Sequence, residues 1–421
     1  MWFTLTLEAR DGSRREIHYN PHTSEIEGID IGPLDARAWA PVPRVSKQTS
    51  LGKSRAPRVL KIQLGLSCNY SCSYCSQASQ IRGATVSKLA DVEAFLAGLD
   101  GWIEGTPEKI ELWGGEPFLY WAKIKRLMPA LAKRFPEACF SIITNGSLLD
   151  REKLDFIHRY DITIGISHDG PGQHLRGPDP LDEPEKRRWI EALLAERPAK
   201  TGFNAVLTRE HHDLKALKVW FAEKVGPSAC VGLEGVVNVY DAATLLGPGR
   251  FEPAQLNSLT WSVFEALVVD PNAFGLGAKI RDVYASLQRR RPIEALGQKC
   301  GMDREDTIAV DLRGNVMTCQ NTGAKGVHRI GHVSDFGGIA LDTATHFAFR
   351  DECMSCPVVQ LCKGSCMFLE GEFFKQSCAN EFAFNMGVLM AAIWRLTGMV
   401  AVRVGATGQL GSLEAPGAST G

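Results

Sequence analysis

No apolar stretch in this 421-residue chain reaches the ~18 residues that a membrane-spanning helix needs. The N-terminus, Met1-Trp2-Phe3-Thr4-Leu5-Thr6-Leu7-Glu8, lacks the basic start and the cleavage site of a signal peptide. An excess of charge is missing too: 47 Lys and Arg against 48 Asp and Glu give a formal net charge of −1 and a pI near 6.8. That balance argues against bulk attraction to nucleic acid or an anionic membrane, and the triplet Arg289-Arg290-Arg291 reads as a solvated helix face. The expectation is a cytoplasmic protein with neither nucleic acid nor membrane as partner.

What is present is ordinary bulk and an unusual amount of thiol. With 44% hydrophobic and 23% charged residues over 421 positions, the chain can bury a sizeable core in two or three domains. Twelve cysteines in a reducing compartment are poor candidates for disulfides, so metal ligation leads. Ten of them fall into two sets. The first is Cys68, Cys72 and Cys75, spaced C-x3-C-x2-C just after an apolar run. Three thiols fill neither a tetrahedral zinc site nor a cube of iron and sulfide, in which each iron takes one thiolate; they would leave one iron of a [4Fe–4S] cluster open to a small molecule. Three structural cysteines, or part of a zinc knuckle, satisfy the same spacing.

Residues 3 to 10 and 15 to 20 alternate around Asp11-Gly12 as a β-hairpin, the centre of an N-terminal β element placed at 1 to 39. Residues 40 to 57, rich in Pro, Ser and basic side chains, read as a linker. Strand-like and helix-like runs then alternate through a core at 58 to 250: strands at 59–65, 109–113, 139–144, 161–167, 201–207 and 230–238, with helices at 86–104, 121–135, 147–159, 184–197 and 213–223 between them. Such βα repeats imply a parallel sheet, expected to be buried on both faces. A helical bridge follows at 251 to 299, with helices at 253–269 and 279–290. A Cys- and Gly-rich domain is placed at 300 to 380, a C-terminal helix at 381 to 404 and a disordered tail at 405 to 421.

The loop from Ser67 to Ser76, with Tyr74 just before its last cysteine, resembles that of the radical S-adenosylmethionine (SAM) superfamily, which reads C-x3-C-Φ-C with Φ aromatic. Trp113-Gly114-Gly115-Glu116-Pro117 resembles its GGEP motif, in which glycines admit a ligand and the glutamate meets the SAM amino group. Ser167-His168-Asp169-Gly170 is similar to its Ser-x-Asp-Gly segment. The resemblance implies Gly114, Gly115, Glu116, Ser167, Arg176 and Asn204 as SAM contacts, with Ser167 on the ribose and Arg176 on the carboxylate; Asn145 is a further candidate. It also implies a partial (β/α)6 barrel with chemistry at the strand C-termini.

The second cysteine set, Cys300, Cys319, Cys353, Cys356, Cys362, Cys366 and Cys378, exceeds any single zinc site, though two zinc sites would accommodate it. The spacing resembles the SPASM domain, which carries two auxiliary iron–sulfur clusters. By that resemblance Cys353, Cys356, Cys362 and Cys378 hold an outer cluster and Cys300, Cys319 and Cys366 an inner one, whose fourth position is either Asp306 or an open iron. Cys139 and Cys230 are expected to be buried free thiols. The implied activity is that of a radical SAM/SPASM oxidoreductase acting on a ribosomally made precursor peptide, forming a side-chain cross-link. The implied cofactors are a SAM-binding [4Fe–4S] cluster, two auxiliary clusters and SAM. Reduced flavodoxin or ferredoxin would supply electrons, with room for a separate leader-peptide-binding protein. The N-terminal hairpin either caps the barrel or offers an edge strand to a leader peptide. The rival activities are formylglycine formation and oxidation of a small molecule. Against the first, Gln320 stands after Cys319 where formylglycine-forming relatives place an aspartate base, and no other proton acceptor is evident.

Overall fold

The structure is a computed structural model that describes residues 1–35, 37–81, 86–238, 245–406 and the backbone of 411–412. Its strands are β1 (Phe3–Glu8), β2 (Arg14–Asn20), β3 (Glu25–Glu27), β4 (Val59–Gln63), β5 (Lys109–Trp113), β6 (Cys139–Thr144), β7 (Thr163–Ser167), β8 (Thr201–Leu207), β9 (Val231–Val236), β10 (Thr307–Asp311), β11 (Asn315–Met317), β12 (Arg329–His332), β13 (Val400–Ala406) and β14 (Gly411–Ser412). The helices are α1 (Ala78–Ile81), α2 (Leu89–Gly98), α3 (Trp121–Arg134), α4 (Arg151–Arg159), α5 (Pro184–Glu196), α6 (Leu214–Lys224), α7 (Pro253–Val269), α8 (Gly277–Gln288), α9 (Asp351–Met354), α10 (Val359–Cys362) and α11 (Gly371–Thr397).

Strands β4 to β9 pair in chain order, all parallel, and α2 to α6 fill the five crossovers, so the expected alternation of six strands with intervening helices forms. Side chains alternate along these strands. Leu60, Ile62, Ile110, Leu112, Ile142 and Ile164 are at most 1% exposed. The opposite positions, among them Lys61, Glu111, Ser141, Gly165, Ser167 and Asn204, are only half-buried. One face is therefore core and the other, polar at alternate positions, is only partly buried. The expected burial of both faces is corrected accordingly.

The cysteine-rich segment extends this sheet. β10 lies parallel to β4 with Thr307 opposite Val59, and β11 and β12 continue antiparallel beyond it. Residues 40–57 form a packed strap: Val45 and Leu51 are buried, Leu51 bridges Leu341, and Lys53 donates at 2.8 Å to both the Met302 and Arg304 carbonyls.

A second sheet runs β14-β13-β1-β2-β3. The C-terminal helix, expected at 381–404, instead spans 371–397 and stops at Gly398, whose φ of 70° is the left-handed conformation that ends helices. The chain then turns back as β13, where Val400, Val402 and Val404 alternate and pair antiparallel with β1. Gly405 and Ala406 of the expected disordered tail belong to β13 and residues 411–412 to β14; 407–410 and 413–421 lie outside the described residues. β13 also occupies the outer edge of β1, so the N-terminal hairpin lends a peptide no free edge there. Helix α11 packs closely on α7, because a Cβ on Gly387 would come within 2.5 Å of the Thr260 carbonyl oxygen.

Candidate active site and cysteine groups

The loop bearing Cys68, Cys72 and Cys75 leaves the C-terminal end of β4 and is clasped by the loops that follow β5, β6 and β7. Backbone bonds extend the β4–β5 pairing beyond the strands: Leu64 N–H donates to the Trp113 carbonyl (2.7 Å), Gly115 to Gly65 (3.1 Å) and Glu116 to Ser67 (3.0 Å). A Cβ on Gly115 would sit 2.4 Å from the Ser67 carbonyl oxygen, so this approach requires glycine. Tyr120 Oη accepts from Ser67 N–H at 2.7 Å. From the β6 loop, Asn145 donates to Asn69 at 2.9 Å and Ser147 accepts from Asn69 at 2.8 Å. From the β7 loop, the Leu175 carbonyl accepts from Ser73 N–H at 2.8 Å. The three thiols are half-buried. Burial pushes Cys72 up to about 11 although Arg176 pulls the other way, and burial also raises Cys68. A metal must therefore displace protons to bind here.

Glu116 lies deeper than a ligand contact would suggest. It is 1% exposed and its carboxylate accepts from Phe118 N–H (3.0 Å), Thr144 Oγ1 (2.7 Å) and Asn145 N–H (2.7 Å). Burial raises its pKa despite these bonds. In this arrangement Glu116 ties the β5 loop to the β6 loop, and the candidate ligand contacts beside it are the backbones of Gly114 and Gly115. Ser167, the last residue of β7, and Asn204, in the middle of β8, are register partners, side by side on the same face of the sheet. Asn204 Nδ2 donates to Glu234 Oε2 at 3.2 Å, which places a carboxylate on this face that sequence reasoning did not single out.

Asp169 is the second residue missed. It is 2% exposed, accepts from Tyr74 Oη and from Arg176 Nε (2.9 Å) through Oδ2, and from Val206 N–H (3.0 Å) through Oδ1. One carboxylate thus joins the cysteine loop, the expected SAM-carboxylate arginine and strand β8. Burial alone would weaken the charge of Arg176, but Asp169, Tyr74 and Cys72 outweigh it and hold the guanidinium above its ordinary range. The signal was an acid in Ser167-x-Asp169-Gly170, where the strand ends and a charge is free to turn inward. The neighbouring His168 is fully buried; it accepts from Gly170 N–H at Nδ1 (3.0 Å), so its proton sits on Nε2, facing Asp179 at 2.9 Å.

Cys353, Cys356, Cys362 and Cys378 line one cavity together with Val358, Val359 and Phe382. Burial pushes Cys353 and Cys356 up to about 12 and raises Cys362 and Cys378. Beneath Cys362, Lys299 Nζ meets the buried Glu381 at 2.5 Å, and Lys279 donates to Asn385 at 3.0 Å. Cys300 lies near Cys319 and Cys366, whose negative charge adds to desolvation in raising its thiol to about 12. Asp306 is not the acid at this group. It pairs with Arg304 (2.6 Å) and Arg58 (3.4 Å), which hold it down at about 2. The carboxylate that Cys300 feels is Asp303, 1% exposed, with Oδ2 accepting from Gln298 N–H at 2.7 Å and Oδ1 without a partner among the described residues. Cys139 and Cys230, expected to be buried, are both exposed, each at the N-terminal end of its strand region.

Among the described residues, no three cysteine sulfurs all lie within 4.8 Å of one another. Four thiolates on one zinc at ~2.3 Å would stand about 3.8 Å apart. The described sulfurs are therefore not gathered as the ligands of a single four-thiolate zinc ion would be.

Comparison with known proteins agrees with this geometry. Residues 62–211 match the family model of the Radical SAM superfamily, so the chain carries a radical SAM domain. A [4Fe–4S] cluster and SAM are the cofactors of that superfamily. The chain is 22% identical over 342 residues to the radical SAM cyclopropyl synthase TigE of Paramaledivibacter caminithermalis, covering 74% of this chain and 68% of that one. It is 29% identical over 114 residues to an S-adenosylmethionine-dependent nucleotide dehydratase of Psychrobacter lutiphocae, covering 24% and 37%. In fold it is similar to native anSMEcpe with bound AdoMet, with a TM-score of 0.56 and 18% identity over 81% of this chain and 98% of that one. The same fold is matched in native anSMEcpe with bound AdoMet and Cp18Cys peptide, at a TM-score of 0.56 and 17% identity.

Proposed function

We propose that this protein is a peptide maturase of the SPASM type, which oxidatively joins two side chains of a precursor peptide. The observation that carries the reading is the second cysteine system: a radical core with one partly buried face, extended through β10 by a segment whose thiols gather as a set of four and a set of three. When bound, the cluster at Cys68, Cys72 and Cys75 with SAM supplies a 5′-deoxyadenosyl radical that takes a hydrogen atom from the substrate, and clusters in the C-terminal sets supply an electron acceptor. The chain's own part is to hold and orient. In this reading the Gly114–Gly115 backbone, Ser167, Asn204 and Arg176 hold SAM, with Asp169 fixing Arg176, and the partly buried face between Lys61 and Asn204 takes the peptide. Removing a second hydrogen also requires a proton acceptor. Gln320 cannot be one; its Oε1 lies 3.4 Å from both Lys61 Nζ and Cys319 Sγ. Glu234, bonded to Asn204, is the carboxylate placed to take that proton.

That the structure of anSMEcpe contains a peptide, and that TigE is a cyclopropyl synthase, supports a peptide substrate and bond-forming oxidation. The test is reaction with dithionite, SAM and the product of a short reading frame beside this gene. The peptide should lose two hydrogens in mass, yield about one 5′-deoxyadenosine per product and show two residues joined in tandem mass spectra. An aldehyde at Cys or Ser, trapped by a hydrazine reagent, would overturn the reading in favour of formylglycine formation.

A further inference from the structure

His174, Glu210 and His211 bring one nitrogen or oxygen each to within 4.8 Å of one another. We propose that these three side chains form a binding site for a single divalent d-block cation of the zinc class. Two imidazoles and one carboxylate are the donor set such ions prefer, and three protein ligands leave a coordination position open.

The spacing favours an ion over a direct contact. His174 Nε2 and Glu210 Oε2 are 3.9 Å apart, too far for a hydrogen bond. Two donors each about 2.1 Å from a shared tetrahedral ion lie roughly 3.4 Å apart, so only a small adjustment closes the site. The orientation of His174 is already set. Its Nδ1 lies 3.2 Å from the Pro171 carbonyl oxygen, which can only accept, so Nδ1 carries the proton and the Nε2 lone pair is free. His211 is held from two sides. Its backbone exchanges hydrogen bonds with Thr208, N–H to carbonyl, at 3.1 and 3.2 Å, and its ring packs on Gly172, where a Cβ would come within 3.1 Å of Cδ2. Burial and then the nearby His174 lower the pKa of His211, which favours the neutral, ligating form. Arg209 also faces Glu210, its Nε 4.0 Å from Oε1. The ligands come from the turn after β7 and the turn after β8, so an ion here would pin the segment carrying Asp169 and Arg176 to its neighbour. It would do so whatever substrate the radical chemistry acts on.

The test uses untagged, cluster-replete protein, stripped of loosely bound metal with a chelator and given one equivalent of Zn²⁺ anaerobically. X-ray absorption at the zinc edge should show a nitrogen and oxygen shell at about 2.0–2.1 Å with imidazole scattering and no sulfur at about 2.3 Å. His174→Ala should lose that equivalent or bind it at least tenfold more weakly, and Glu210→Gln, which keeps the shape of the turn, should weaken binding in the same direction. A sulfur shell, or an unchanged zinc stoichiometry and affinity in both variants, would overturn the proposal.

Discussion

At the scale of single residues, the organising group is the Asp169 carboxylate, which holds Tyr74 of the cysteine loop and Arg176 at once. Asp169→Ala releases both while touching no cysteine. SAM cleavage, followed as 5′-deoxyadenosine formed with dithionite, should fall about 10- to 100-fold with iron content unchanged. Wild-type turnover in that variant would remove Asp169 from the positioning role. Asp169 and Glu234 escaped sequence reasoning because an acid near a strand end looks the same whether it faces solvent or a neighbour. Only the partner distinguishes them. His346 carries a pH prediction. It is 1% exposed; burial, with a smaller push from Arg44, lowers its pKa to about 4. The unfolded chain, with an ordinary imidazole near 6.5, then binds more protons than the folded one between those values. Stability rises with pH through that window, is fully present above about 6.5 and falls by about 3 kcal/mol on acidification to pH 4. Thermal unfolding across pH 4 to 7 should show this slope, and His346→Gln should flatten it.

Among the elements, β13 shows where local reading and tertiary structure part. The alternation Val400, Val402, Val404 is a strand signal, yet it follows a 27-residue helix and precedes a Gly-rich tail, and its partner β1 lies nearly four hundred residues earlier. No window of sequence contains both strands. Truncation after Gly398 would strip β1 of its outer neighbour and expose Leu5 and Leu7, now fully buried. That variant should melt at least several degrees lower and form soluble aggregates on size-exclusion chromatography; an unchanged melt would show β13 to be dispensable. The βα repeats were legible because each strand and helix is announced by its own periodicity and its own cap, as at Asp150 and Asp213, which accept from the first-turn N–H groups of α4 and α6.

In the molecule as a whole, the thiols form three groups, and the prediction at this scale is their metal content. Anaerobically purified protein with three cubes should carry about twelve irons, and replacing Cys68, Cys72 and Cys75 together by Ala should leave about eight while abolishing SAM cleavage. Stoichiometric zinc without iron in the native protein would refute the cluster assignment for all three sets. The described helices include none long and apolar enough to cross a membrane, in keeping with the absence of an 18-residue apolar run.

The order of βα units, the parallel sheet and the division of ten cysteines into two sets were determined by the sequence itself, because periodicity and covalent spacing are local and survive without knowledge of neighbours. The tertiary structure decided what depends on who faces whom. It turned Glu116 inward against Thr144 and Asn145 and gave Asp306 to two arginines instead of to the cysteines. It left one face of the sheet only partly buried, and it set four thiols around a single cavity. A charge buries only where partners offset its lost hydration, and for Glu116 two of those partners, Thr144 and Asn145, come from the next loop along the sheet.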